Sequence, residues 1–167
     1  MAIVSVSSER ACANPIDLVE HIVSSNQWVF ERASDDELAV EVGGRWCDYH
    51  LHFSWREDAH ALHLSCAFDM RVPKAKIAAV HNLLATVNEK MWLGHFDLWS
   101  EDGLPLFRHA VLLRGTPGAS AEQLEDLVDV ALRECERFYP AFQFVIWGGK
   151  DPAEAVAAAV IDPVGEA

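Results

Sequence analysis

Residues 46–69 alternate between apolar and polar side chains almost without a break. Successive side chains on a strand point to opposite faces, so a period of two describes antiparallel strands with one dry face and one wet face. On the first strand Cys47, Tyr49, Leu51, Phe53 and Trp55 share the dry side, while Asp48, His50, His52 and Ser54 share the wet one. On the second, Leu62, Leu64, Cys66 and Phe68 oppose Ala61, His63, Ser65, Ala67 and Asp69. Arg56-Glu57-Asp58-Ala59 reads as a four-residue loop, which pairs Trp55 with His60, Phe53 with Leu62 and Leu51 with Leu64. That register sets His52 opposite His63 and His50 opposite Ser65 on the wet face.

The flanking segments supply the remaining elements. Asn14-Pro15 starts a helix whose buried stripe is Ile16, Val19, Ile22 and Val23, ending at Ser24-Ser25-Asn26. Trp28 to Arg32 reads as a short strand, and Leu38, Val40 and Val42 define a second before Gly43-Gly44 turns the chain. Pro73 opens a middle helix with Ile77, Val80, Leu84, Val87 and Met91 on one face. Two strands flank Glu101-Asp102-Gly103, a three-residue hairpin loop, with Pro105 near a strand end where a missing amide is tolerated. Ser120-Ala121-Glu122-Gln123 has the form of a capping box, and Leu124, Val128, Ala131, Cys135 and Phe138 follow at helical spacing. Pro140 is expected to kink this helix or begin a fresh segment. Asp151-Pro152 caps one more short helix through Val160. The fold class is α+β: one antiparallel sheet with helices packed on one face, in the order α-β-β-β-β-α-β-β-α.

With 167 residues, 51% of them hydrophobic, the chain suits one domain around one core. The division is a flexible N-terminus at 1–13, a single domain at 14–150, and a short helix and tail at 151–167. A net charge of -13 would repel a phosphate backbone, so nucleic acid is not an expected partner. No stretch approaches the roughly 18 consecutive apolar residues of a membrane span, and residues 1–13 lack the apolar core of a secretory signal. The expected location is the cytoplasm, with no membrane association. Cys12, Cys47, Cys66 and Cys135 lie far apart, without a C-x-x-C pair, and read as reduced packing residues.

The order of elements from about Pro15 to Gly149 resembles the YbjN-domain family, whose fold is like that of type III secretion chaperones. Leu38-Ala39-Val40-Glu41-Val42, Tyr49 to Trp55 and Leu62 to Phe68 match its central strands. Val87-Asn88-Glu89, Gly94-His95-Phe96 and Leu106-Phe107-Arg108 look like its short signature around the middle helix and second hairpin. Tyr139-Pro140 and Trp147-Gly148-Gly149-Lys150-Asp151-Pro152 resemble the ending of alphaproteobacterial members. The resemblance implies a non-enzymatic protein, linked to sensory or stress regulation, on a fold used elsewhere to dimerise and hold partner polypeptides.

Two candidate sites follow from the residues. His50, His52 and His63 form an H-x-H pair with a histidine on the neighbouring strand, a set that suits zinc with a fourth position open to water. Asp48 is the nearby carboxylate available to orient an imidazole. A solvated sheet face accounts for the same residues without a metal. His81, His95 and His109 are scattered over a helix and a hairpin, with no spacing that ties them to the three. The second candidate is an apolar surface at Phe142, Phe144, Val145, Ile146 and Trp147, joined by the outward members among Trp46, Trp92 and Trp99. Such a surface suits a homodimer and a client or regulatory polypeptide, with core packing as the competing explanation. No G-x-S-x-G, H-E-x-x-H, glycine-rich phosphate loop or EF-hand pattern occurs. Binding of another polypeptide without a cofactor, chaperone-like or regulatory, is therefore the leading expectation, and a zinc-dependent protein using the three histidines is the alternative.

Overall fold

The structure, a computed structural model, describes residues 11–161, so the N-terminal expectation for residues 1–10 and the tail at 162–167 lie outside it. Six strands form one antiparallel sheet: β1 (Val29–Arg32), β2 (Glu37–Gly43), β3 (Asp48–Arg56), β4 (Ala61–Phe68), β5 (His95–Trp99) and β6 (Leu104–Leu112). Their spatial order is β1-β2-β3-β4-β6-β5, so β6 returns beside β4 and leaves β5 at the edge. Four helices accompany them: α1 (Ile16–Ser25), α2 (Ile77–Asn88), α3 (Ala121–Ile146) and α4 (Pro152–Ile161). The α+β class and the expected element order both hold.

Side-chain caps start three of the four helices. The Asn14 side-chain oxygen accepts from the Ile16 amide at 2.9 Å, while its amide group donates to Asp35 O and Asp36 Oδ1, tying the start of α1 to the β1–β2 turn. Ser120 and Gln123 form the reciprocal capping box at the start of α3. Asp151 Oδ2 accepts from the Ala153 amide at the start of α4. A 3-10 turn at Lys74–Lys76 leads into α2, whose buried side chains are Val80, Leu83, Leu84 and Val87.

α1, α2 and α3 cover the dry face of the sheet, and α4 lies against α2 and α3. The centre of this layer is aromatic. The Phe68 ring meets Tyr139 at 5.3 Å and Phe142 at 5.1 Å, both edge-on, and Phe96 meets Phe107, Phe138 and Phe142 at 5.5–5.8 Å. Arg32 also points to the helical side, opposite Leu38, and its Nη1 bridges Asp17 and Glu20 of α1 at 2.7 Å each.

Three expectations change. The β3–β4 register is Trp55 with Leu62, Phe53 with Leu64 and His52 with Ser65, two residues away from the expected pairing. His60 adopts a left-handed φ of 47° and donates its amide to Glu57 O, so it belongs to the turn rather than to β4. A slip by two preserves the alternation, which is why the dry face survives the correction. The second hairpin pairs Trp99 with Leu104, so its loop holds four residues instead of three. Finally, α3 runs unbroken through Pro140.

Candidate functional site

On the wet face of the sheet Leu106 and Ser65 are buried, and polar side chains of β4, β5 and β6 meet beside them. Arg108 on β6 stands between Ser65 of β4 and His95 of β5. Its Nε donates to His63 Nε2 at 3.3 Å and its Nη1 to Asp97 Oδ2 at 3.2 Å, and Asp97 Oδ1 accepts from the Leu98 amide at 2.8 Å. Because His63 Nε2 accepts, its ring is neutral with the proton on Nδ1. Burial lowers the His63 pKa, and the Arg108 charge, His52, His95 and His109 lower it further. Burial also lowers His109, with His95 adding to the shift.

β5 begins at His95 while β6 continues to Leu112, which leaves a depression of ≈ 400 Å³ lined by His63, Gly94, His95, Arg108, His109 and Ala110. Gly94 makes the exit possible. It holds φ at 67°, and a side chain there would collide with the Phe107 ring and the Arg108 carbonyl oxygen. A second depression, of ≈ 330 Å³, lies beside α1 and is lined by Asp17, Glu20, His21, Ser24 and Arg32, but its guanidinium is committed to the two carboxylates.

The structure does not gather the three histidines proposed as zinc ligands. His63 falls opposite Ser54, diagonal to His52, while His50 pairs with Ala67. His50 and the partner of His63 are four residues apart on β3, about 13 Å along the strand. Among the described residues no group of three or more His, Cys, Asp or Glu is arranged to hold a metal ion. His63 instead shares its face with His95, a histidine whose chain position carries no visible link to it, while His109 lines the same depression from the other face, its ring against Phe107. The hairpin register supplies that link, since it alone decides that His95 faces Arg108.

The apolar run also resolves differently. Phe142, Val145 and Ile146 are core residues, and Phe144 is half-buried with Lys150 Nζ 5.2 Å over its ring. These four therefore do not offer a free surface, and Trp147, at 61% exposed, is what remains of it. Trp46 is half-buried, its indole bonded to the Glu136 carbonyl. Trp92 is 98% exposed, in the bend just before Gly94, with Leu93 and Trp99 also exposed. Cys66 and Cys135 are buried side by side, and burial holds the Cys135 thiol protonated. No described helix is long and apolar enough to cross a membrane.

Comparison with known proteins places this geometry. The fold matches the crystal structure of YbjN from E. coli, described as "a putative transcription regulator", with a TM-score of 0.52 at 11% identity, over 71% of this chain and 84% of that one. At that identity the likeness speaks for the fold. No curated protein matches this chain. The sequence profile of the family YbjN, described as "Putative bacterial sensory transduction regulator", matches residues 15–144, a span that runs from the start of α1 almost to the end of α3. The chain belongs to the YbjN family.

Proposed function

We propose that this chain is a non-enzymatic cytoplasmic regulator that works as a homodimer and binds another polypeptide in a chaperone-like or signalling role. The observation that carries the reading is Trp92. An indole left 98% exposed forgoes the burial that most large aromatic side chains obtain, and Leu93 beside it is exposed as well. Aromatic side chains of this kind are enriched where partner proteins dock. Trp147 and Trp99 add apolar area elsewhere on the surface, and the acidic character of the chain suits a partner with basic groups around an apolar contact.

The test is capture of partners from lysate by wild type, Trp92→Asp and Trp147→Asp, with the mass of each measured by light scattering. The expected result is a dimeric wild type and loss of a specific partner band in Trp92→Asp while folding is unchanged. Identical capture by all three proteins overturns the assignment of this surface, and an 18.6 kDa monomer in solution overturns the dimer.

A further inference from the structure

The notch at the end of β5 has a ladder consequence. Antiparallel pairs alternate between those that exchange backbone bonds and those that do not. Phe96 spends its N–H and C=O on the Asn88 side chain, so the Phe96–Phe107 pair is the non-bonded kind and His95–Arg108 is the bonded kind. Two residues further along β6, Ala110 turns its amide to the same side, where no described strand pairs with it. The notch thus gathers a backbone N–H, the Nη2 edge of Arg108 that His63 and Asp97 do not use, and imidazoles from β4 and β5, while the His109 ring turns to the other face against Phe107.

We propose that this notch binds a small oxyanion, a carboxylate or phosphate group, with Arg108 and the imidazoles of His63 and His95 as its side-chain donors. The groups facing His63 are His52 from β3, His95 and Asp97 from β5, and Arg108 from β6, with His109 acting on it from the other face of the sheet. Asp97 is the one carboxylate among them, and it is tied to Arg108. Protonating His63 removes the lone pair to which Arg108 donates and sets two cations side by side. An oxyanion seated between them relieves that repulsion and takes up both as charge-assisted donors. Binding therefore strengthens as pH falls through the imidazole range, and it draws protons onto the protein. The chain as a whole is acidic, so the attraction is local to these groups.

The experiment titrates inorganic phosphate and, separately, acetate into the full chain at about pH 5.5 and 7.5, either side of the ordinary imidazole value. Histidine ring resonances are the readout. Acetate stays ionised at both values, so its pH dependence reports the protein's groups. The expected result is a saturable shift of His63 and His95 at the lower pH, with His21 and His81 unmoved, and binding about tenfold weaker at the higher pH. A response to phosphate alone or acetate alone names the class, and either supports the site. Arg108→Gln should weaken binding by about tenfold or more. His95→Gln, at an exposed side chain, should weaken it severalfold and guards against a folding defect in the first variant. No saturable shift with either anion at the lower pH, or equal binding by both variants and wild type, overturns the proposal.

Discussion

Pro140 has no amide to give to the carbonyl of Glu136, one turn back in α3. The indole N–H of Trp46 donates to that oxygen instead, at 3.1 Å, while the Glu136 carboxylate accepts from the Arg45 amide at 2.7 Å. One residue of the helix thereby clamps the β2–β3 turn through both its backbone and its side chain, and the proline that threatens the helix creates the acceptor. Tyr49, buried beneath this turn, has its pKa raised chiefly by burial and next by the Glu136 charge, so it remains a neutral phenol. Trp46→Phe should cost about 1 kcal/mol, because a half-buried carbonyl loses its donor. In a Pro140→Ala background, where a helical amide is restored, the same change should cost less. Denaturant unfolding of the four proteins gives the coupling, and additive costs would refute the link.

The edge strand β5 is closed by a side chain rather than by another strand. Asn88, the last residue of α2, donates to Phe96 O at 3.0 Å and accepts from Phe96 N at 2.8 Å, copying the bonds of a ladder neighbour. The Asp97 carboxylate takes the Leu98 amide in the same region. Such edges otherwise invite pairing between molecules. Asn88→Ala should lower stability by about 1–3 kcal/mol and raise concentration-dependent association, measured by chemical unfolding and light scattering. A variant that unfolds like wild type and shows no added association would contradict this role. The existence and dry faces of β2, β3 and β4 were readable from their period of two. The pairing of β3 with β4 was not, because the left-handed His60 lengthens the turn and a slip of two leaves the pattern intact.

Across the molecule the helices and the aromatic core occupy one side of the sheet, His63 with Arg108 lies on the other, and His109 sits beside Phe107 at the open end of β5. His63 and His109 hold their pKa values below the ordinary imidazole value of about 6.5. The unfolded chain therefore takes up these protons first as pH falls. The stability they contribute is present above that value and is lost as pH drops through the lowered folded values. Thermal unfolding should accordingly fall between about pH 7.5 and 5, with a smaller fall in His63→Gln, which keeps an acceptor for Arg108 while removing the titration. Equal slopes for the two proteins would show that His63 is not part of this dependence.

Composition and periodicity alone determined the α+β class, the helix starts at Asn14, Ser120 and Asp151, and which side of each central strand is dry. These are properties of a side chain and its near neighbours along the backbone, so they can be read in one dimension. The meeting of His63 and His95 around Arg108, the burial of Phe142, Val145 and Ile146, and the exposure of Trp92 were decided by tertiary structure. Each depends on which distant segments lie side by side, and that is set by turn geometry and by β6 inserting between β4 and β5. A local pattern is indifferent to both, because alternation reads the same in every register that differs by two.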